Sequence, residues 1–174
     1  MKGSRHFRVS ALLSACVMSL IATASWSQPL TWLGTLPGGN SSEAWGVSAD
    51  GTVVVGGALN NAGQYRAFRW TASSGRMDDL GTLGGDWSVA SGVSADGSVV
   101  VGGASNAAGQ RRAFRWTASG GMEDLNRTYA SLLTNGSELV WARAISPDGR
   151  YIVGWGYNAT TRRYEAFLLD TGPR

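Results

Sequence analysis

The chain has 174 residues, with 15 Lys plus Arg against 12 Asp plus Glu and 25 glycines. Its basic excess lies wholly in Lys2, Arg5 and Arg8; the remainder balances 12 against 12 and offers no basic footprint for nucleic acid. The only His (His6), Lys (Lys2) and Cys (Cys16) lie in the same stretch, which leaves no imidazole, amine or thiol for the usual nucleophilic triads, no disulfide framework, and no Cys or His ligand for zinc or copper.

Residues 1–27 read as a secretory signal peptide. A basic start precedes an apolar run, Val9 to Ala24, that is too short and too sharply ended to span a bilayer, and "ATA" at 22–24 supplies small residues for cleavage after Ala24 or Ser27. The destination is extracellular or periplasmic, with no transmembrane segment in the mature chain. The alternative is lipidation at Cys16, since "LSAC" fits the box before a lipid-modified cysteine, although the apolar run continues past it. Roughly 147 residues remain. They form one domain, 28–174, of a size that buries about 70% of its surface.

"LTWLG" at 30–34 reads as a strand with no sheet before it. "WGVSADGTVVVGG" then reads as strand, tight turn, strand, because Asp50-Gly51 suits a two-residue hairpin turn with positive φ at both central positions. "TVVVGG" is a β-branched run without polar alternation, the mark of a strand buried on both faces. A loop, "LNNAGQ", leads to a third strand, "YRAFRWT", whose Arg66, Phe68 and Trp70 share one side. A short fourth strand follows in "RMDDLGTL". The pattern then restarts: residues 92–118 repeat 46–72 with 23 identities in 27 positions. An insertion, "RTYASLLTNGSE", carries a helical turn near Tyr129 to Leu133. A looser third copy follows in "AISPDGRYIVGWG" and "YEAFLLD", with three strands and no fourth.

A unit of about 46 residues used three times points to propellers, solenoids or arrays, and four short antiparallel strands per unit is the content of a propeller blade. The fold class is therefore all-β, with repeats at about 34–80, 81–125 and 126–174. The strand at 30–34 is expected to complete the last sheet and so remove an exposed edge. Three blades fall short of the usual four to eight. The expected solutions are a closed three-sheet barrel or prism, or a homodimer that completes a six-bladed ring.

The phrases "DLGTLGG", "GVSADGSVVVGGAS", "AFRWT" and "GMEDL" resemble the HAF repeats of bacterial extracellular proteins, named for a His-Ala-Phe core. That triplet reads Arg-Ala-Phe at 66–68 and 112–114 and Glu-Ala-Phe at 165–167. "SPDGRYIVG" is also similar to the propeller repeats of the periplasmic Tol proteins. The resemblance spans about residues 30–170. It implies a secreted or surface-exposed bacterial β-repeat protein and no particular reaction. Members often carry more repeats, and some end in a membrane barrel or sorting tail, so a truncated passenger of a longer autotransporter-type protein is one alternative.

The Asp-Gly aspartates (Asp50, Asp96, Asp148) each stand alone in a turn and read as turn formers rather than calcium ligands. Asp78-Asp79 and Glu123-Asp124 are the paired acids that a glycosidase would need. Adjacent strand residues face opposite ways, so only a cross-repeat pair such as Asp79 with Asp124 fits that use. Trp70 and Trp116 recur in register and read as core between blades. Trp45, Trp87 and Trp155 do not recur, and exposed rings of this kind stack on sugars or apolar groups. Arginines gather before the third strands, among them Arg66, Arg111, Arg112, Arg162 and Arg163, and form either a basic arc for polyanionic glycans or salt bridges. The reading is a non-enzymatic binding or structural module. It has no catalytic, metal or cofactor residues, and its candidate partner surface comprises Trp45, Trp87, Trp155, Arg66, Arg112 and Arg163. The partner is a glycan, a protein or a second copy of the chain. The competing function is a carbohydrate-active enzyme working with carboxylates alone.

Overall fold

The structure is a computed structural model that describes residues 30–172. The expected signal peptide and Cys16 lie outside the described residues. Eleven strands form three antiparallel sheets, each a meander in chain order. The first sheet holds β1 (Ser42–Val47), β2 (Val53–Leu59), β3 (Tyr65–Thr71) and β4 (Arg76–Asp79). The second holds β5 (Gly84–Val93), β6 (Val99–Asn106), β7 (Arg111–Thr117) and β8 (Gly121–Asp124). A short helix, α1 (Leu125–Thr128), and a 3-10 turn, Ala130–Leu132, precede the third sheet of β9 (Glu138–Ile145), β10 (Tyr151–Asn158) and β11 (Arg163–Asp170).

The valine runs are buried as their patterning implies, and β6 is buried over nearly its whole length. Val53, Val55 and Ala67 of the first sheet pack on Ala90, Val100 and Phe114 of the second. Val101 and Ala113 of the second pack on Ala142, Ile152 and Leu169 of the third. The recurring phenylalanine of each sheet faces backwards along the stack, and the segment preceding its own sheet helps to cover it: Leu36 for Phe68, Leu80 for Phe114, Leu125 for Phe167. Each ring lies against a glycine of the neighbouring strand. A methyl on Gly56, Gly102 or Gly154 would come within 3 Å of that ring, and within 1.9 Å or 2.0 Å of an inner-strand carbonyl oxygen.

The backbones of neighbouring sheets come close at the inner strands. A methyl on Gly46 would lie 3.3 Å from the Gly92 Cα, and one on Gly92 would lie 3.2 Å from the Ala144 Cα. Beside these glycines the turns are linked in series. The Ala49 N–H donates to the Ala95 carbonyl, and the Ala95 N–H donates to the Pro147 carbonyl, both at 2.9 Å.

Three expectations need correction. Residues 30–34 form no strand; the third sheet has three strands and the stack does not close into a barrel or prism. The cause is local. Leu36 is buried in the first sheet's own core, and the Ser42 hydroxyl donates to the Gly34 carbonyl at 2.7 Å, so this segment serves the sheet that follows it. The Asp-Gly connections are not two-residue turns either. Positive φ occurs at Gly51, Gly97 and Gly149 (72°, 72° and 75°) and not at the aspartates. The loop is longer: the Gly51 N–H reaches back to Ser48, and Asp50 accepts from Ser48, from Thr52 and from the Thr52 N–H. Lastly, Trp116 packs on the seam between first and second sheets, whereas Trp70 is buried with Leu33 and Leu36 on the opposite face of the first sheet.

Gly102→Ala places a methyl 2.0 Å from the Val89 carbonyl oxygen and 2.7 Å from the Phe114 ring. The expected cost is more than about 2 kcal/mol, read as a fall of about 6 °C or more in Tm; an unchanged Tm would contradict the packing.

The turn aspartates predict an acid dependence. The Ser94 hydroxyl, then the Ser98 N–H and hydroxyl, hold the Asp96 carboxyl at about 2. The Thr52 N–H, then the Ser48 and Thr52 hydroxyls, do the same for Asp50. Because the folded values are depressed, the stabilisation is complete above about pH 4, the unfolded range, and disappears as pH falls towards about 2. Thermal melts between pH 5 and pH 2 should therefore show a falling Tm, with a shallower slope in Asp96→Asn, which keeps the acceptor but loses the titration.

Candidate functional site

The end of the stack opposite the Asp-Gly turns carries the β2–β3 and β6–β7 loops. Both are built alike. Asn60 Oδ1 accepts the N–H groups of Ala62 and Gln64, and Asn106 Oδ1 accepts those of Ala108 and Gln110. Gly63 and Gly109 supply the positive φ the loops require (70° and 74°). Each loop turns a glutamine towards an arginine: Arg66 donates to Gln64 at 2.7 Å and Arg112 to Gln110 at 3.0 Å.

Two of the sequence-picked arginines are thereby structural. Arg66 also lies 3.9 Å from Asp79. Arg112 grips Glu138 with two bonds, 3.0 Å and 3.1 Å, and so bridges the second and third sheets. Arg163 is exposed at the start of β11 and makes no ion pair among the described residues. The three tryptophans are not brought together. Trp45 stands exposed on β1 and approaches Glu43 at 3.4 Å. Trp155 lies on the outward face of the third sheet, edge-on to Tyr164 with centroids 5.7 Å apart. Trp87 lines a cleft.

That cleft lies between the first and second sheets and has a volume of 520 Å³. The first sheet contributes Leu59, Gln64 and Tyr65; the second contributes Asp86, Trp87, Ser105 and Arg111. The Tyr65 ring rests on Gly57, where a methyl would fall 2.2 Å from the ring. Burial, then the Glu43 carboxylate, pushes the Tyr65 phenol above its usual range. Ser105 fixes the opposite wall by accepting the Trp87 N–H at 3.0 Å and donating to the Trp87 carbonyl at 3.2 Å. The Arg111 guanidinium lies 4.8 Å from the Trp87 ring centroid, and Trp141 flanks the same ring at 5.3 Å.

Tyr65, Asp86 and Ser105 are the residues that sequence reasoning passed over, and Arg111 was legible only as part of an arc. A signal was present. The near-identical block of 27 residues differs at four places: Thr52/Ser98, Leu59/Ser105, Asn61/Ala107 and Tyr65/Arg111. Both members of the second and fourth pairs line this one cleft.

The acids proposed for cross-repeat chemistry have local duties. Asp79 accepts the Gly81 N–H at 2.8 Å, and Asp124 caps α1 through the Asn126 N–H at 2.9 Å. Asp124 also borders a second cleft, of 660 Å³, with Asn106, Glu123 and Arg127.

The outward face of the third sheet departs from its counterparts. Aligned on the Asp-Gly turns, the first two sheets present Val53, Val55 and Gly57, and Val99, Val101 and Gly103, to the sheet that follows; the third presents Tyr151, Val153 and Trp155. Gly103 has the Trp141 ring against it, so an indole at the matching position forbids the same approach. Ala144 stands where Gly46 and Gly92 make close contact, and Pro147 stands where Ala49 and Ala95 donate an N–H. Tyr164 and Leu168 complete an apolar face, 70% and 69% exposed.

No family model matches the chain, and no curated protein matches it. Among solved structures it is similar to a protein described as TolB from Agrobacterium tumefaciens, with a TM-score of 0.52 and 18% identity over 76% of this chain and 46% of the other. It is also similar to TolB from Acinetobacter baumannii, with a TM-score of 0.49 and 14% identity over 76% of this chain and 30% of the other. The chain thus spans less than half the length of the structures it matches. The first likeness supports a propeller-like fold and nothing finer. No helix among the described residues is long and apolar enough to cross a membrane.

The substitutions at 144, 147 and 155 predict that a second copy does not stack on the third sheet as the sheets stack on each other. Light scattering on residues 28–174 should give the mass of one chain; a two-chain mass would contradict this.

Proposed function

We propose that the chain is an exported β-repeat protein of the HAF-repeat type that works as a non-enzymatic binding module, with the cleft between the first and second sheets as its binding site. Export rests on the N-terminal pattern, and the family rests on the repeated phrases. The observation that carries the binding reading is the meeting of Tyr65, Trp87 and Arg111 in one cleft, at positions where otherwise matching repeats diverge. Large rings with a polar neighbour offer contact area at low entropic cost, as a binding surface requires. The repeats provide a stiff wall on each side, and the divergent residues provide the recognition.

The enzymatic alternative would use Asp79 and Asp124. One oxygen of each, Oδ1, accepts a nearby backbone N–H, and that supports a structural role for them.

Glycan-array binding by the purified mature chain tests the proposal. Binding of at least one glycan class is expected, weakened about tenfold or more by Trp87→Ala and unchanged by Asp79→Asn or Asp124→Asn. Binding indifferent to Trp87→Ala would remove the cleft, and polysaccharide turnover abolished by either aspartate change would replace the module with an enzyme.

A further inference from the structure

We propose that the cleft takes an acidic sugar, a pyranose ring carrying a carboxylate, within a uronate-containing glycan. This rests on the binding reading above and gives it a ligand class.

The walls are chemically unlike, and each points to part of such a ligand. Tyr65 is backed by Gly57, and its ring borders the cleft. An aromatic face of this kind packs on the C–H face of a sugar ring. Arg111 is the cation of the site. Arg66, Arg112, Arg115 and Arg150 each lie within 4.0 Å of a carboxylate. Arg111 has no carboxylate at that distance among the described residues and instead stacks on Trp87. A guanidinium held over a ring face keeps N–H donors free to meet a carboxylate.

Asp86 is the counterpart. Its carboxylate is exposed, and its contact within the protein is the Ser105 hydroxyl at 3.4 Å, a weak one. It retains acceptor capacity for the hydroxyl donors of a sugar. Gln64 adds a donor, because its Oε1 already accepts from Asn60 and Arg66 and its amide nitrogen remains.

The two charges together select the ligand. A small anion would satisfy Arg111 but meet Asp86 as a like charge. A neutral hexose would satisfy Asp86 and the rings but leave the guanidinium without a partner. A uronate carries hydroxyl donors, an apolar ring face and a carboxylate at one end. A cleft of 520 Å³ is in the range of small-ligand sites, roughly 300–1,000 Å³.

Calorimetric titration of the intact mature chain decides this, with three probes: a hyaluronan tetrasaccharide for glucuronate, polygalacturonate for a polymeric source, and cellotetraose as the neutral control. Binding of a uronate probe at least tenfold tighter than cellotetraose is expected. Arg111→Gln should erase that preference, Tyr65→Ala should weaken all binding tenfold or more, and Arg163→Gln should change nothing. Binding of only the tetrasaccharide indicates a free oligosaccharide and binding of only the polymer a surface polysaccharide; both support the proposal. Equal binding of cellotetraose, a preference that survives Arg111→Gln, or no uronate binding overturns it. If the array finds a non-uronate glycan whose binding needs Trp87, the binding module stands and the acidic-sugar assignment alone falls.

Discussion

Neighbouring sheets approach most closely by their backbones where the inner strands touch, at glycine and alanine. Gly46 faces Gly92 and Gly92 faces Ala144 at a spacing where a methyl on either inner glycine would push its neighbour back by a few tenths of an ångström. Backbone at that range lets one turn donate to the next, as Ala49 does to Ala95 and Ala95 to Pro147. With the inner edges pinned, the outer strands fan apart enough to admit Phe114 in one seam and Phe167 in the other. A single four-stranded sheet of this size cannot bury both its faces. Each depends on its neighbour for the cover that makes the valine runs favourable.

A stack of this kind has ends, and the ends are treated differently. At the first sheet the preceding segment folds back, and Leu36 covers Phe68 as Leu80 and Leu125 cover the later phenylalanines. At the third sheet the features of a seam are withdrawn one by one: a methyl at 144, no N–H at 147, an indole at 155. Among the described residues the middle sheet has a sheet on each side. The distinctive chemistry lies beside it, because a cleft between two sheets draws one wall from each repeat. Identical repeats would give such a cleft identical walls. Tyr65 against Arg111 and Leu59 against Ser105 break that equality, and Trp87 exploits it.

Much of the scaffold could be read from the residues. The valine runs are buried strands, the Arg-Ala-Phe segments are third strands with Phe inward, and the insertion does carry a helical turn. Those features are local, and internal repetition states them twice. The misreadings were all questions of where a segment goes in space. "LTWLG" has strand-like composition, yet its Leu33, with Leu36 just beyond it, helps to cover Phe68 and Trp70, and no local pattern separates a strand from a cover. Asp-Gly suggested the tightest hairpin, but the flanking Ser and Thr give the aspartate three more donors and make a longer loop the better solution. Arg66 and Arg112 looked like a ligand arc because their partners, Asp79 and Glu138, are far away along the chain. The cleft had a sequence signal in the four mismatches of the repeat, which became readable once the fold placed two of those mismatches face to face.

Amide hydrogen exchange at Ala49 and Ala95 tests the stacking most directly. Both residues sit in surface turns, where an unlinked N–H exchanges freely. If each turn is bonded to the next sheet, both amides exchange as slowly as those of Val55 and Val101 in the buried strands and open only with the whole stack. Rapid exchange at either position, while the valine amides stay protected, would show sheets that fold without leaning on each other and would contradict the account.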